Sequence, residues 1–245
     1  MNSMLGITFH CVKSTTQFGA TIGVFKLYEA HTADYISNIL RSSLAKYEFN
    51  IDNVAAVVTD NGANIVKAVV NVFGKNKHIP CFAHTLNLVC ENSLNVPEVK
   101  ELISKCRTLI SWIKRHVNSN EDLGKVQSAA GVPEGNMLKL ILDVRTRWNS
   151  TFYMLQRFIK LLPYVSQIVL NYPDAPDVIS SKEKDYLEEI IAILHHLEAI
   201  TVQLSGEKSA TLSHVIPIVH CGREKIMNQT CRNRISQLLK DQIIH

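Results

Sequence analysis

The feature that most narrows what this chain can fold into is "NVAAVVTD", where residues 54–58 carry no polar alternation before the chain reaches Asp60. Such a strand is apolar on both faces, which suits a parallel strand with neighbours on each side, and parallel neighbours require crossover helices. The flanking sequence supplies them. "TADYISNILRSSLAKYEF" sets Tyr35, Ile36, Ile39, Leu40 and Leu44 at spacings of three and four, with Thr32 placed to cap the helix. "GANIVKAVVNVF" predicts a helix directly after Asp60, and "KHIPCFAHTLNLVCENSL" a short strand over residues 79–82 leading into a third helix. Upstream, "SMLGITFHCVK" and "FGATIGVFKL", joined by "STTQ", predict an antiparallel hairpin. The order β-β-α-β-α-β-α defines a mixed α/β sheet.

After Pro97 the strand patterns give way to helices. Val99, Leu102, Ile103, Cys106, Leu109, Ile110 and Ile113 fall on one helical face, and residues 150–170 and 183–205 are likewise amphipathic. "SNEDLGKVQSAAGVPEGN" reads as a long mobile loop, and "LNYPDAPDVISS" as another in which Pro173 and Pro176 forbid a continuous helix. With 245 residues, 46% of them hydrophobic, the chain can bury a sizeable core. A formal charge of +4 is compatible with a phosphate-binding face but decides little alone. Six cysteines spread over a chain this long point to a reducing compartment rather than a disulfide framework. Without a secretory leader or about 18 uninterrupted apolar residues, the expectation is a soluble intracellular protein with no membrane association.

Three groups of residues could carry chemistry. Asp60 stands where open α/β sheets place their ligands, and it is equally placed to cap the next helix. Two-metal phosphoryl chemistry needs several converging carboxylates, so one Asp alone is not an active site. Cys81 and His84 are separated by two residues and could both reach one zinc ion, although the spacing to Cys90 or Cys106 matches no common finger; the alternative is a core thiol and a helix-start histidine. In "DVRTRWNSTFYMLQRF", Arg145 and Arg147 could pair with phosphate while Trp148 stacks on an unpaired base, or Trp148 could be a core residue flanked by solvated arginines.

Taken in order, "VVTDNGANIVKAV", "PCFAHTLNLV", "DVRTRWNSTFYMLQR" and "LEAITVQLSGEKSATLSHVIPIV" resemble the central region of hAT-family DNA transposases, above all the domesticated zinc finger BED domain-containing proteins derived from them. The resemblance implies a ribonuclease-H-like sheet interrupted by an all-helical insertion. On this chain that means a partial ribonuclease-H-like domain over 1–96, lacking its first strand, and a helical insertion region over 97–245. It assigns Asp60 as the second of three metal-binding acids, and implicates Cys81, His84, Arg147 and Trp148, with Arg145 beside them, in handling transposon ends.

The pattern is incomplete. The first acid would precede residue 1, the third would follow the insertion, and Glu188, Glu189, Glu198 and Glu207 stand too early to replace it. The BED finger and the dimerisation segment have no counterpart here. The expectation is therefore a truncated, noncatalytic nuclear scaffold with a vestigial Asp60 and no cofactor, its ancestral Mg²⁺ site incomplete. Its DNA binding would be weak and mainly electrostatic, with protein partners also open. The alternative is an active metal-dependent transposase or nuclease whose other acids are unrecognised.

Overall fold

The computed structural model describes residues 3–14, 16–144, 146–205 and 212–245; Arg145 and Glu207 fall outside these ranges. The chain divides into two compact units, one of residues 1–85 with 204–215 and the other of residues 86–203 with 216–245.

The first unit opens with β1 (Ser3–Lys13) and β2 (Thr16–Leu27), an antiparallel hairpin whose register shifts by one residue between Ile7 and Thr8. Ser14 enters the turn at φ 56°. Alternation along β1 turns Leu5, Ile7 and Phe9 inward and leaves Met4, Thr8 and His10 exposed, and Phe9 meets Phe49 at a ring separation of 4.9 Å. Helix α1 (Ala33–Lys46) is capped by Thr32, whose hydroxyl accepts from the Tyr35 amide. Strand β3 (Val57–Thr59), helix α2 (Ala63–Phe73), strand β4 (His78–Pro80) and the start of α3 (Phe82–Leu94) follow. The core of this unit is Ile36, Leu40, Ala68, Val69 and Val72, with Leu5, Ile7 and Val57 packed against it. Both β1 and β3 thus rest on the same pair of helices.

The strands do not merge into one sheet. β1 pairs with β2, and β3 runs parallel to β4 over three residues, giving two separate two-stranded sheets among the described residues. This corrects the expectation of a central strand buried on both faces: Val58 is 55% exposed. The physical reason is that only one face of β3 is packed: Val57 lies against the helical core, while Val58, on the opposite face, stays open to solvent. Pairing also begins at Val57 rather than Val54, because a 3₁₀ turn over Ile51–Asn53 occupies the approach.

The second unit is helical. α4 (Pro97–Arg115) buries every apolar position predicted for it, together with Trp112, and has Pro97 in its first turn. α5 (Val117–Ala129) takes up the first part of the predicted loop, whose remainder over residues 130–136 is non-helical apart from a 3₁₀ turn at Glu134–Asn136. Leu123 and Gln127 point inward, each 2% exposed, and the Gln127 amide donates to the Leu123 and Leu138 carbonyls while accepting from the Leu138 amide. A polar residue makes the inward contact there, so no apolar period marks the helix.

α6 (Trp148–Val169) and α7 (Ser181–Leu204) complete the central packing, with Phe152, Phe158, Leu187, Ile190 and Ile193 buried. The segment with Pro173 and Pro176 connects them without helix, as predicted. Ser180 and Glu183 cap α7 reciprocally, each side chain bonding the other's backbone amide, and Lys105 of α4 grips the same carboxylate at 2.8 Å. α8 (Leu212–Asn228) and α9 (Arg234–Ile244) end the chain. Overall the architecture is a small set of mixed strands in a mostly helical α/β protein. No described helix is long and apolar enough to cross a membrane.

Candidate functional site

Asp60 is exposed just past the carboxyl end of β3. Its Oδ1 accepts from the Gly62 amide at 3.0 Å, two residues on, and Gly62 rather than Asp60 is the N-cap of α2. The carboxylate therefore shapes the strand-to-helix turn and leaves its second oxygen outside that bond.

Cys81 comes to the same strand ends. Its amide donates to the Thr59 carbonyl at 2.7 Å, its carbonyl accepts from the Thr85 hydroxyl, and Asn61 Nδ2 reaches Thr85 Oγ1 at 3.4 Å. Thr59 Oγ1 pairs with His78 Nε2 at 2.9 Å. Fold and hydrogen bonding so bring Asp60 and Cys81 together, with His84 half-buried in the first turn of α3.

The donor chemistry fits neither metal well. One carboxylate among neutral Asn and Thr side chains does not fit two Mg²⁺ ions, and among the described residues no cluster of three or more His, Cys, Asp or Glu could hold an ion. For zinc, Cys90 and Cys106 are wholly buried and held as thiols, burial pushing both up and the nearby Glu91 and Glu183 charges adding to it, Cys106 to about 12.

The Arg–Trp segment belongs to the second unit and is held from beneath. Asp143 accepts from Arg107 Nε at 3.0 Å and Nη2 at 2.6 Å, and from the Thr151 hydroxyl at 2.6 Å. Burial works to raise the Asp143 carboxyl, but the bonds from Arg107 and Thr151 and the guanidinium charge outweigh it and hold the group below its ordinary range. Next to it, Ser150 Oγ accepts from the Val144 amide and lies 2.6 Å from the Arg147 carbonyl, while the Arg147 amide closes onto the Val144 carbonyl at 2.8 Å. The result is that Arg147 is held against Val144 and Ser150, with Thr146 and Arg147 exposed.

Trp148 is 2% exposed, its ring packed in the helical core at the start of α6. Asp143, Arg107 and Thr151 carry this geometry and were not singled out in the sequence, because an acid between basic residues resembles a solvated charge and its partner lies 36 positions upstream.

The family model for the ZBED1 RNase-like helical domain matches residues 79–193, a little under half of the chain. Human zinc finger BED domain-containing protein 4 is 29% identical over 71% of this chain and 14% of its own length. A Talaromyces stipitatus protein, tpeD, named as a transcriptional regulator, is 26% identical over 80% of the chain and 27% of its own length. A maize protein named as an AC transposase is 24% identical over 86% and 27%. These matches support a hAT-derived, BED-type protein. The chain spans about a quarter or less of each relative's length.

Proposed function

We propose that this chain is a noncatalytic, transposase-derived nuclear scaffold that contacts DNA through the turn at Arg147, and proteins through its helical surface. The observation that carries the reading is an exposed Arg147 on a turn fixed by Ser150 and Asp143, inside the segment matched by the family model. Arg147 would contact phosphate, with Arg145 beside it in sequence, while Trp148 seats the turn. The parallel β3–β4 pair behind a hairpin and crossover helix supports a partial ribonuclease-H-like domain over 1–96, followed by a helical insertion region over 97–245. Cys81 and His84 would order the end of β4, and Asp60 would be the remnant of an ancestral metal site with no cofactor bound today. The relatives' names support a role in transcription or in handling DNA.

Fluorescence anisotropy on labelled duplex tests this. Wild-type binding should be weak and fall steeply with salt, and Arg147→Ala should weaken it on all sequences while reducing the salt slope by about one. Unchanged affinity and slope in that variant would end the reading. The exposure of Asp60 at a strand end favours one rival, a metal-dependent nuclease. Specific nicking with Mg²⁺ or Mn²⁺, abolished by Asp60→Asn, would establish it instead.

A further inference from the structure

In the helical unit, residues 137–144 run without helix, turn or bend. Side chains from three helices do there what neighbouring strands do in a sheet. Gln127 of α5 bonds both the N–H and the C=O of Leu138, Arg157 of α6 donates to the Lys139 carbonyl at 2.9 Å, and Lys114 of α4 donates to the Leu140 carbonyl at 3.2 Å. At the far end Asp143 is gripped by Arg107 and Thr151, and the Ser150 hydroxyl bonds both the N–H and the C=O of Val144. Between these anchors the bonding stops: among the described residues, nothing bonds the backbone N–H or C=O of Ile141 or Leu142.

The side chains alternate at the same place. Asp143 turns inward, its side chain 3% exposed, while Leu142 and Val144 on either side of it turn outward, 41% and 56% exposed. Lys139 and Arg147 are exposed three residues before Leu142 and three after Val144, and Lys114 brings a further exposed cation to Leu140. Among the described residues none of these three cations is in an ion pair, and the acid of the segment, Asp143, is taken up by Arg107.

We infer that residues 138–144 form a docking edge for an extended peptide in which acidic and apolar residues alternate. The inference rests on the protein-contact half of the reading above, gives it a place and a partner, and is independent of the DNA contact at Arg147. A residue in a strand directs its N–H and C=O to the same side, so Leu142 can exchange both bonds with one residue of an added strand. A DNA backbone offers acceptors only and leaves the Leu142 carbonyl unmet, whereas a peptide amide supplies the donor as well. Apolar side chains of the peptide would cover Leu142 and Val144, and its carboxylates would answer Lys139, Lys114 and Arg147. The segment is already extended and held at both ends, so it loses little freedom on pairing.

The test uses the full chain and labelled peptides as long as the segment, read by fluorescence anisotropy, with labelled duplex measured beside them. A peptide of alternating valine and glutamate should bind, and one of alternating valine and lysine should not. Leu142→Ser should weaken the glutamate peptide roughly 3- to 10-fold and leave duplex affinity unchanged. Lys139→Glu should weaken that peptide by a similar factor, and saturating peptide should slow hydrogen exchange at the Leu142 amide of the wild-type chain. The docking edge is overturned if the glutamate peptide does not bind, if the lysine peptide binds as well, or if binding leaves both the Leu142 exchange and the Leu142→Ser affinity at wild-type values. It is overturned too if Leu142→Ser weakens duplex as much as peptide, which would give the segment to the DNA face. Duplex binding that persists through any of these outcomes leaves the Arg147 reading in place. If the peptide binds as expected and the duplex does not, the DNA reading fails and the docking edge stands.

Discussion

Asp143 and Arg107 are joined by a forked ion pair whose shortest contact is 2.6 Å, around a carboxylate side chain that is 3% exposed. The pair ties the extended segment before α6 to α4, and Thr151 supplies a further bond to the same carboxylate from α6. Three parts of the second unit therefore meet at one buried acid. Removing that acid leaves the guanidinium, itself 24% exposed, without its partner. Asp143→Ala is expected to destabilise the protein by about 2–4 kcal/mol, somewhat below a fully buried pair because water reaches Arg107. Urea denaturation followed by circular dichroism measures this, and a loss under about 1 kcal/mol would show the fork to be a surface pair.

The same carboxylate makes stability depend on pH in a definite direction. Its folded pKa lies below the ordinary value of 3.8, so its contribution is complete above the usual carboxylate range and is lost as pH falls through the depressed folded value. Glu183, held down against its burial by Lys105 and Ser180, acts in the same sense. The urea midpoint should be level above about pH 5 and drop below about pH 4, and Asp143→Asn should flatten that drop. A profile of Asp143→Asn that parallels wild type would assign acid sensitivity to other groups.

How far the fold was legible follows from which residues face inward. On α4 the apolar spacing from Val99 to Ile113 coincides with burial, and residues 3–13 alternate as a strand should. Helix α5 escaped because its inward residues are one Leu and one Gln, and a buried amide leaves no hydrophobic period. Trp148 was ambiguous because its neighbours are basic, and chain neighbours do not report which way a helix-start ring turns. Asp143 was hidden because its partner is distant in sequence. Strand β3 misled in the opposite sense: "VAAVV" is as apolar as a central strand, yet burial depends on what packs on each face, and Val58 is open to solvent.

Gln127 offers a direct check on the unanticipated helix. Its amide satisfies both the N–H and the C=O of Leu138, doing for that residue what a neighbouring strand would do. Gln127→Ala leaves the Leu138 N–H and C=O without their side-chain partner, which should cost about 1–3 kcal/mol. Hydrogen exchange at the Leu138 amide should also quicken. If the amide stays protected, another group holds the segment.

Strand edges set the expected behaviour at high concentration. Among the described residues β1 pairs only with β2 and β3 only with β4, so each keeps an open edge, and Val12 and Val58 are 63% and 55% exposed on those strands. Open edges with exposed β-branched residues recruit other strands, and charge on them prevents it. Concentrated protein should elute partly as larger species, and Val12→Lys with Val58→Lys should shift it toward monomer without lowering the melting temperature. Self-association unaltered by the lysines would locate the contact on another surface.

Gly222 on α8 marks a close helix approach in the second unit. A Cβ added there would fall inside contact range of Ile200 Cδ1 and Cγ1 on α7, and Gly222 has a helical φ, so its role is space rather than backbone freedom. Helix propensity alone would make Gly222→Ala stabilising by about 1 kcal/mol. Overpacking works against that and costs about 1–3 kcal/mol where the neighbour cannot move aside. Ile200 is 7% exposed, which limits its freedom to rotate away. The expected result is net destabilisation of Gly222→Ala, relieved when Ile200→Ala is added, so that the double variant is more stable than the sum of the single changes. Urea midpoints of the four proteins give the coupling directly, and additive effects would mean that the two helices adjust independently at this crossing.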